Sequence, residues 1–328
     1  MISFLKLIRL PNLLIIAFTQ YMIRLCLIEP ILKLSGFELQ ISEWEFALLV
    51  LATIFVSAGG YIINDYFDVR IDTINKPEQL VIDKGVKRRV AMGAHAVLSC
   101  LGVAMGIFLA WKSNILLSGG ILFTLSVIGL WFYSTSFKYQ FLTGNFLVSL
   151  LTGMIPFMVA LFEIPRVIIV YNSQLIQQLS KYGFAVTTTI LLWCGAYAIF
   201  AFGLSLIREM IKDMEDVEGD MEYGCRTIPI ALGIKKAKTI VITLISITIA
   251  CIGYAQFFIH EQFTYEPLKD KYAFLYFLLL IQLPLVFLLF RILKAKEKKH
   301  FHFASVLVKS IMLAGIFFLF LLKFVLLK

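Results

Sequence analysis

Long apolar runs alternate along the chain with short polar stretches, and the runs have the length of membrane-spanning helices, which need about 20 residues to cross the hydrocarbon. Nine can be marked: 11–34, 44–63, 91–111, 115–133, 142–162, 185–206, 238–259, 273–293 and 304–326. The first follows Lys6 and Arg9 and so imitates a secretory signal. It continues past Arg24 without a small-residue cleavage site, and is read as a retained helix. Composition sharpens the picture. Of 328 residues 60% are hydrophobic and 16% charged, against about 25% charged in a soluble domain. Too little polar surface exists to cover a soluble core. The expected class is all-α: a polytopic membrane protein with one integral-membrane domain over 1–328.

Nine spans make the loops alternate sides. The N-terminal side carries Lys6, Arg9, Arg70, Lys76, Lys84, Lys87, Arg88, Arg89, Lys138, Arg208, Lys212, Arg226, Lys235, Lys236, Lys238, Arg291, Lys294, Lys296, Lys298 and Lys299, twenty in all. The other side has eight: Lys33, Lys112, Arg166, Lys181, Lys269, Lys271, Lys323 and Lys328. That bias predicts a cytoplasmic N-terminus in a cell membrane, with the loops after even-numbered spans also cytoplasmic. It accounts for the net charge of +9 without a nucleic-acid partner, since the basic residues are spread over five loops and form no reader motif. The five cysteines show no CxxC spacing and read as free thiols packed among helices.

Two polar stretches interrupt this plan. NDYFDVRID (Asn64–Asp72) follows the second run and KDMEDVEGD (Lys212–Asp220) the sixth. Wound as helices at about 100° per residue, Asp65, Asp68 and Asp72 fall on one face, with Asn64 beside them. Asp213, Asp216 and Asp220 repeat those angles 148 residues later, and Glu209 joins them one turn earlier. Glu215 and Glu218 point away. Carboxylates stacked in this way repel one another, more so beside hydrocarbon. Hard divalent cations offset such repulsion, and Mg2+ takes one or two protein carboxylates with water and substrate phosphate in its other positions. Two aspartate faces on one side therefore predict Mg2+ bridging to a diphosphate. EF-hand calcium binding is disfavoured, because neither stretch has the D-x-D-x-D-G pattern with a distant Glu.

The same residues resemble the UbiA superfamily of intramembrane prenyltransferases along nearly the whole chain. Asn64, Asp65, Asp68 and Asp72 match the family's N-D-x-x-D-x-x-x-D. Asn75, Lys76, Pro77 and Glu78 match the N-K-P-E that follows it, whereas Gln79 and Leu80 depart from the family's Arg and Pro. Asp213, Asp216 and Asp220, preceded by Arg208–Glu209, match the second motif, and GCRTIPIALG (Gly224–Gly233) a downstream segment. YSTSFKYQFLTGN resembles the Tyr/Lys segment, with Tyr133 and Lys138, and the Gly144–Asn145 that opens the next helix.

The resemblance implies nine helices around a central cavity and Mg2+-dependent transfer of a polyprenyl group from its diphosphate to a lipophilic acceptor. It implies metal held by Asn64, Asp65, Asp68, Asp72, Asp213, Asp216 and Asp220, with Asp68, Asp72, Asp216, Asp220, Lys138 and Tyr133 in catalysis. Lys138, Arg226, Arg9, Lys76 and Glu209 are implied in substrate binding, the first two at the departing diphosphate. Ionisation leaves an allylic cation, which an apolar cavity shields from water and aromatic faces such as that of Tyr133 stabilise. REMIKDMEDVEGD and GNFLVSLLTG look closest to the ether-lipid branch, so that geranylgeranyl transfer to geranylgeranylglyceryl phosphate is the leading expectation. Prenylation of an aromatic quinone precursor is the alternative. A cation-coupled transporter is disfavoured, because transporters hold their ionisable sites near the midplane and these acids lie at span ends. HFH (His300–His302) reads as interface histidines, and Glu163–Gly183 as a short interfacial helix without chemistry.

Overall fold

The computed structural model describes residues 2–78, 80–182, 185–258 and 271–327. Gln79, one of the two departures from the family motif, lies outside them, as do Gly183, Lys269 and Lys328. Among the described residues nine helices are long and apolar enough to cross a membrane. They are Leu10–Leu34, Glu43–Asn75, Arg88–Lys112, Leu116–Thr135, Thr143–Tyr182, Val186–Glu215, Ile234–Phe258, Lys271–Lys294 and Lys298–Leu326. They coincide with the nine apolar runs, but the second, fifth and sixth run on well beyond them.

The second span shows why. Its capping box sets the start: the Ser42 hydroxyl and amide both donate to the Glu45 carboxylate, at 2.6 and 3.1 Å. About 20 residues further the helix has crossed the hydrocarbon, near Ile63. Polar residues of good helix geometry continue it to Asn75, so the first aspartate motif rides on the same rigid rod as the membrane span. The fifth span refines the expectation of a short interfacial helix. Residues 163–170 continue the span, and the chain then kinks at Tyr171, whose ring stacks on Phe37 at 4.5 Å, into a second helix that ends at Tyr182. Val167 and Leu175 are buried there while Ile168, Ile169 and Val170 face outward, the pattern of a lipid-exposed helix.

Spans one to four pack as one group and five to nine as another, joined where the first span touches the fifth, sixth and ninth and where the fourth packs on the fifth. Small residues allow close approach: a Cβ on Gly102 would lie 2.8 Å from the Val56 side chain and 3.0 Å from the Ala52 carbonyl. Two large apolar cores result, one around Phe46, Phe162 and Phe318, the other between the sixth to ninth spans around Leu204, Leu285 and Phe301, with two smaller clusters around Leu7 and Leu13. All five cysteines are free. Cys26, Cys194 and Cys225 are buried, but Cys100 and Cys251 face outward rather than packing among helices.

The end opposite the aspartates holds a polar lock. Arg24, 1% exposed, donates to the Ile41 carbonyl at 2.7 Å and to Glu43 at 2.9 Å, and lies over the Phe46 ring. Glu45 receives Arg166 at 2.8 Å and Lys112 at 3.1 Å. Glu163, buried in the fifth span, accepts from the amides of Gln40 and Ile41.

Candidate active site

Both aspartate motifs open onto one cavity of about 1530 Å3, lined by the first, second, fourth, fifth, sixth and ninth spans and by none of the described residues of the other three. On the second span, Asp65 accepts from Arg9 at 2.6 Å and Asp68 from Lys138 at 2.5 Å. The two cations come from different parts of the chain. Arg9 sits at the break between a short helix, Ile2–Leu7, and the first span, in the left-handed region at φ 52°, ψ 53°. That conformation costs a non-glycine residue on the order of 1–3 kcal/mol. It aims the guanidinium at Asp65 and over the Tyr61 ring, 5.0 Å away. Burial alone would lower the Arg9 pKa, but Asp65 more than reverses this. Lys138 stands on the single turn Phe137–Tyr139 between the fourth and fifth spans.

The second motif departs from a regular helix. The sixth span ends at Glu215, Asp216 takes φ −101°, ψ 10°, and a new short helix runs Val217–Glu222. The three aspartates thus follow a bend, and Asp216 sits at its corner, where Lys76 reaches it at 2.5 Å. Burial lowers the Lys76 pKa, Asp216 raises it, and the net is upward. Asp213 accepts from the Asn145 amide at 2.6 Å. Asp72 and Asp220 have no cation partner among the described residues. Burial, with Asp216 and Asp68 nearby, pushes Asp220 up to about 7. Asn75 holds the motifs together. Its side-chain oxygen accepts from the Gly219 amide at 3.0 Å and its carbonyl from Lys298 at 2.9 Å. A Cβ on Gly219 would lie 2.6 Å from the Asn75 side chain, so only glycine lets the two approach.

The donor set fits Mg2+ in a particular way. All of it is hard oxygen, and two buried oxygens facing the cavity, Asn64 Oδ1 and Asp216 Oδ1, lack a partner. No three of the described His, Cys, Asp and Glu side chains close on one point. An ion here would take one or two carboxylates and need its remaining ligands from water and a phosphate-bearing substrate.

The UbiA prenyltransferase family model matches residues 35–322. The chain belongs to this family. It is accordingly a prenyltransferase of the membrane-embedded kind. It is 29% identical over 280 residues to a digeranylgeranylglyceryl phosphate synthase of Thermococcus kodakarensis, covering 84% of this chain and 86% of that one. A solved structure of a digeranylgeranylglyceryl phosphate synthase shares the fold at a TM-score of 0.58, with 24% identity and 96% of both chains covered. So does a UbiA homologue from Archaeoglobus fulgidus bound to GPP and Mg2+, at a TM-score of 0.52, with 16% identity and 95% of this chain and 98% of that one covered.

Within this UbiA fold the residues singled out from sequence fall into two sets. Asn64, Asp65, Asp68, Asp72, Asp213, Asp216, Asp220, Lys138, Lys76, Arg9, Glu209 and Tyr133 all line the cavity. Arg226 does not. Its side chain is exposed away from the cavity, and only its backbone amide acts there, donating to the Tyr139 carbonyl at 2.8 Å to brace the turn that carries Lys138. Glu215, expected to point away, is buried and accepts from His302 at 2.9 Å, because the ninth span packs against that face of the sixth. His302, first read as an interface residue, therefore lines the cavity. Asn145 and Lys298 carried no role in the sequence reading. The apolar context of Lys309, a cation inside the ninth run, is the one signal in the sequence that draws attention to it.

Proposed function

We propose that the chain transfers a geranylgeranyl group from geranylgeranyl diphosphate to the free hydroxyl of geranylgeranylglyceryl phosphate. The observation that carries the reading is the convergence of both aspartate motifs at the mouth of a single large cavity. Its 1530 Å3 exceeds the about 300–1,000 Å3 of a site for one drug-sized ligand, as two lipid substrates require. The name borne by its relatives over most of the chain supports the acceptor.

Asn64, Asp65, Asp68 and Asp72 from one motif and Asp213, Asp216 and Asp220 from the other would hold Mg2+. Bound there, Mg2+ supplies charge neutralisation of the diphosphate leaving group. In its absence Arg9, Lys138 and Lys76 answer three of the six aspartates. When the diphosphate enters, Lys138 and Lys76 are placed to turn to its oxygens with charge-assisted hydrogen bonds, and Arg9 to follow. The allylic C–O bond breaks and its electron pair leaves with the diphosphate. Tyr133 and the apolar wall formed by Phe123, Met158 and Leu319 keep water from the cation. The glycerol hydroxyl oxygen attacks the cationic carbon, and its proton passes to a carboxylate that carries no cation partner. The basic bias of the loops supports a cytoplasmic location for this end of the bundle.

The test is an assay of the purified protein in nanodiscs with Mg2+ and radiolabelled geranylgeranyl diphosphate. Geranylgeranylglyceryl phosphate, 1,4-dihydroxy-2-naphthoate and 4-hydroxybenzoate are offered separately, and Asp68→Asn and Asp216→Asn run beside the wild type. A labelled diether that needs Mg2+ and vanishes in both variants is expected. A labelled aromatic product would overturn the acceptor and keep the site.

A further inference from the structure

A lysine inside a membrane span is costly and needs a reason. Lys309 lies about three turns into the ninth span and lines the cavity. Its recorded partner is neutral: it donates to Asn12 Oδ1 on the first span at 2.8 Å. Arg208 and Arg9, both cations, stand near enough to act on it. Arg9 is already committed to Asp65. Arg208 shares the one buried carboxylate at this level, Glu209, with Lys212, at 2.7 and 3.5 Å. The next carboxylate along, Asp213, accepts from Asn145 and belongs to the metal face. Thus Arg9, Arg208, Lys212 and Lys309 meet Asp65 and Glu209, which leaves a surplus of two positive charges beside an apolar chamber. Of these cations Arg9 and Lys212 adjoin the aspartate motifs, whereas Arg208 and Lys309 stand inward of the mouth. Arg208 stands about 12 Å along the sixth span from Asp216, toward the membrane interior, by helical rise.

We propose that Lys309, with Arg208 and Lys212, forms a second anion site that binds the phosphate of the acceptor. This rests on the acceptor reading above and adds the residues that recognise it. A phosphate monoester carries the two negative charges that the surplus lacks. It needs no metal where the carboxylates are already taken, unlike the donor's diphosphate between the aspartate faces. The chemistry of the acceptor also fits the spacing. Its reacting hydroxyl lies only four bonds from phosphorus, so a phosphate held at Lys309 keeps that hydroxyl near the donor's first carbon. An aromatic acceptor bearing a single carboxylate would leave half the surplus unmet.

The experiment compares geranylgeranylglyceryl phosphate with its dephosphorylated counterpart in nanodiscs, for the wild type, Lys309→Gln and Lys309→Arg, with KM measured separately for donor and acceptor. The wild type is expected to prefer the phosphorylated acceptor by at least tenfold in kcat/KM. Lys309→Gln should raise the acceptor KM about tenfold, leave the donor KM within twofold and erase the preference, while Lys309→Arg restores most of it. The unchanged donor KM also shows that the variant is folded. A Lys309→Gln protein that keeps the preference, or that loses donor rather than acceptor affinity, would overturn the proposal while the acceptor reading stands. A wild type that uses both acceptors equally would overturn it without any variant. A wild type that transfers to neither would sink the acceptor reading first, and this site with it.

Discussion

The two polar ends of the bundle use the same kinds of residue to opposite effect. At the end opposite the aspartates the carboxylates are saturated: Glu45 takes Arg166, Lys112 and Ser42, and Glu163 takes two backbone amides. The polar atoms left wanting there are donors, Arg24 Nε and Nη1 and Arg166 Nη2. At the aspartate end the shortage is reversed. Asn64 Oδ1 and Asp216 Oδ1 lack donors, and Asp72 and Asp220 lack cations among the described residues. A saturated acid fixes helices in place, whereas an unsaturated one is a place for something positive to arrive. The contrast separates a structural lock from a site, although both are charged clusters at span ends.

The sharpest way to break that contrast is to remove a carboxylate with no partner. Asp72→Asn and Asp220→Asn should each lower turnover about 1,000-fold, or about 4 kcal/mol in transition-state stabilisation. Thermal melting of the same proteins without Mg2+ should show the midpoint held or raised, because like-charge repulsion is relieved. The converse change at the lock, Glu45→Ala, strands Arg166 and Lys112. It should cost on the order of 3–5 kcal/mol of stability, the usual penalty for breaking a buried pair. Melting curves read that loss, and turnover per folded molecule should stay within about twofold. Equal effects of both kinds of variant on turnover would erase the distinction.

Smaller effects sharpen it. Lys138→Met should slow turnover about 100-fold, or about 2.7 kcal/mol, with single-turnover kinetics placing the loss in ionisation rather than donor binding. Gly219→Ala should push Asn75 away from the second motif, costing about 1–3 kcal/mol from overpacking. Its turnover should fall several-fold through misplacement of Asp216 and Asp220, with crosslinking between the motifs reporting the displacement.

Much of this was legible in the chain before any coordinates. Apolar run length located all nine spans to within a few residues at most ends, because crossing hydrocarbon is a demand on each segment alone. The angular placement of Asp65, Asp68 and Asp72 also followed from helical geometry, since that motif continues a regular helix. The same winding applied to Lys212–Asp220 failed at one residue. Asp216 ends the helix, and Glu215, the last residue of its regular part, is covered by the ninth span and meets His302, a packing that periodicity does not give. Arg226 failed for a related reason: a motif places a residue in a loop but does not say which way that loop turns.

Sequence by itself therefore determined the class, the spans, the basic bias of the loops and the first aspartate face, all of which depend on neighbours within a turn or two. Only the tertiary structure decided which cation meets which aspartate, that Asn75 ties the motifs together, and that Lys309 has no ion-pair partner among the described residues. Those outcomes join residues as far apart as Asn12 and Lys309. They depend on how nine helices pack around a cavity, and no local pattern in the chain encodes that packing.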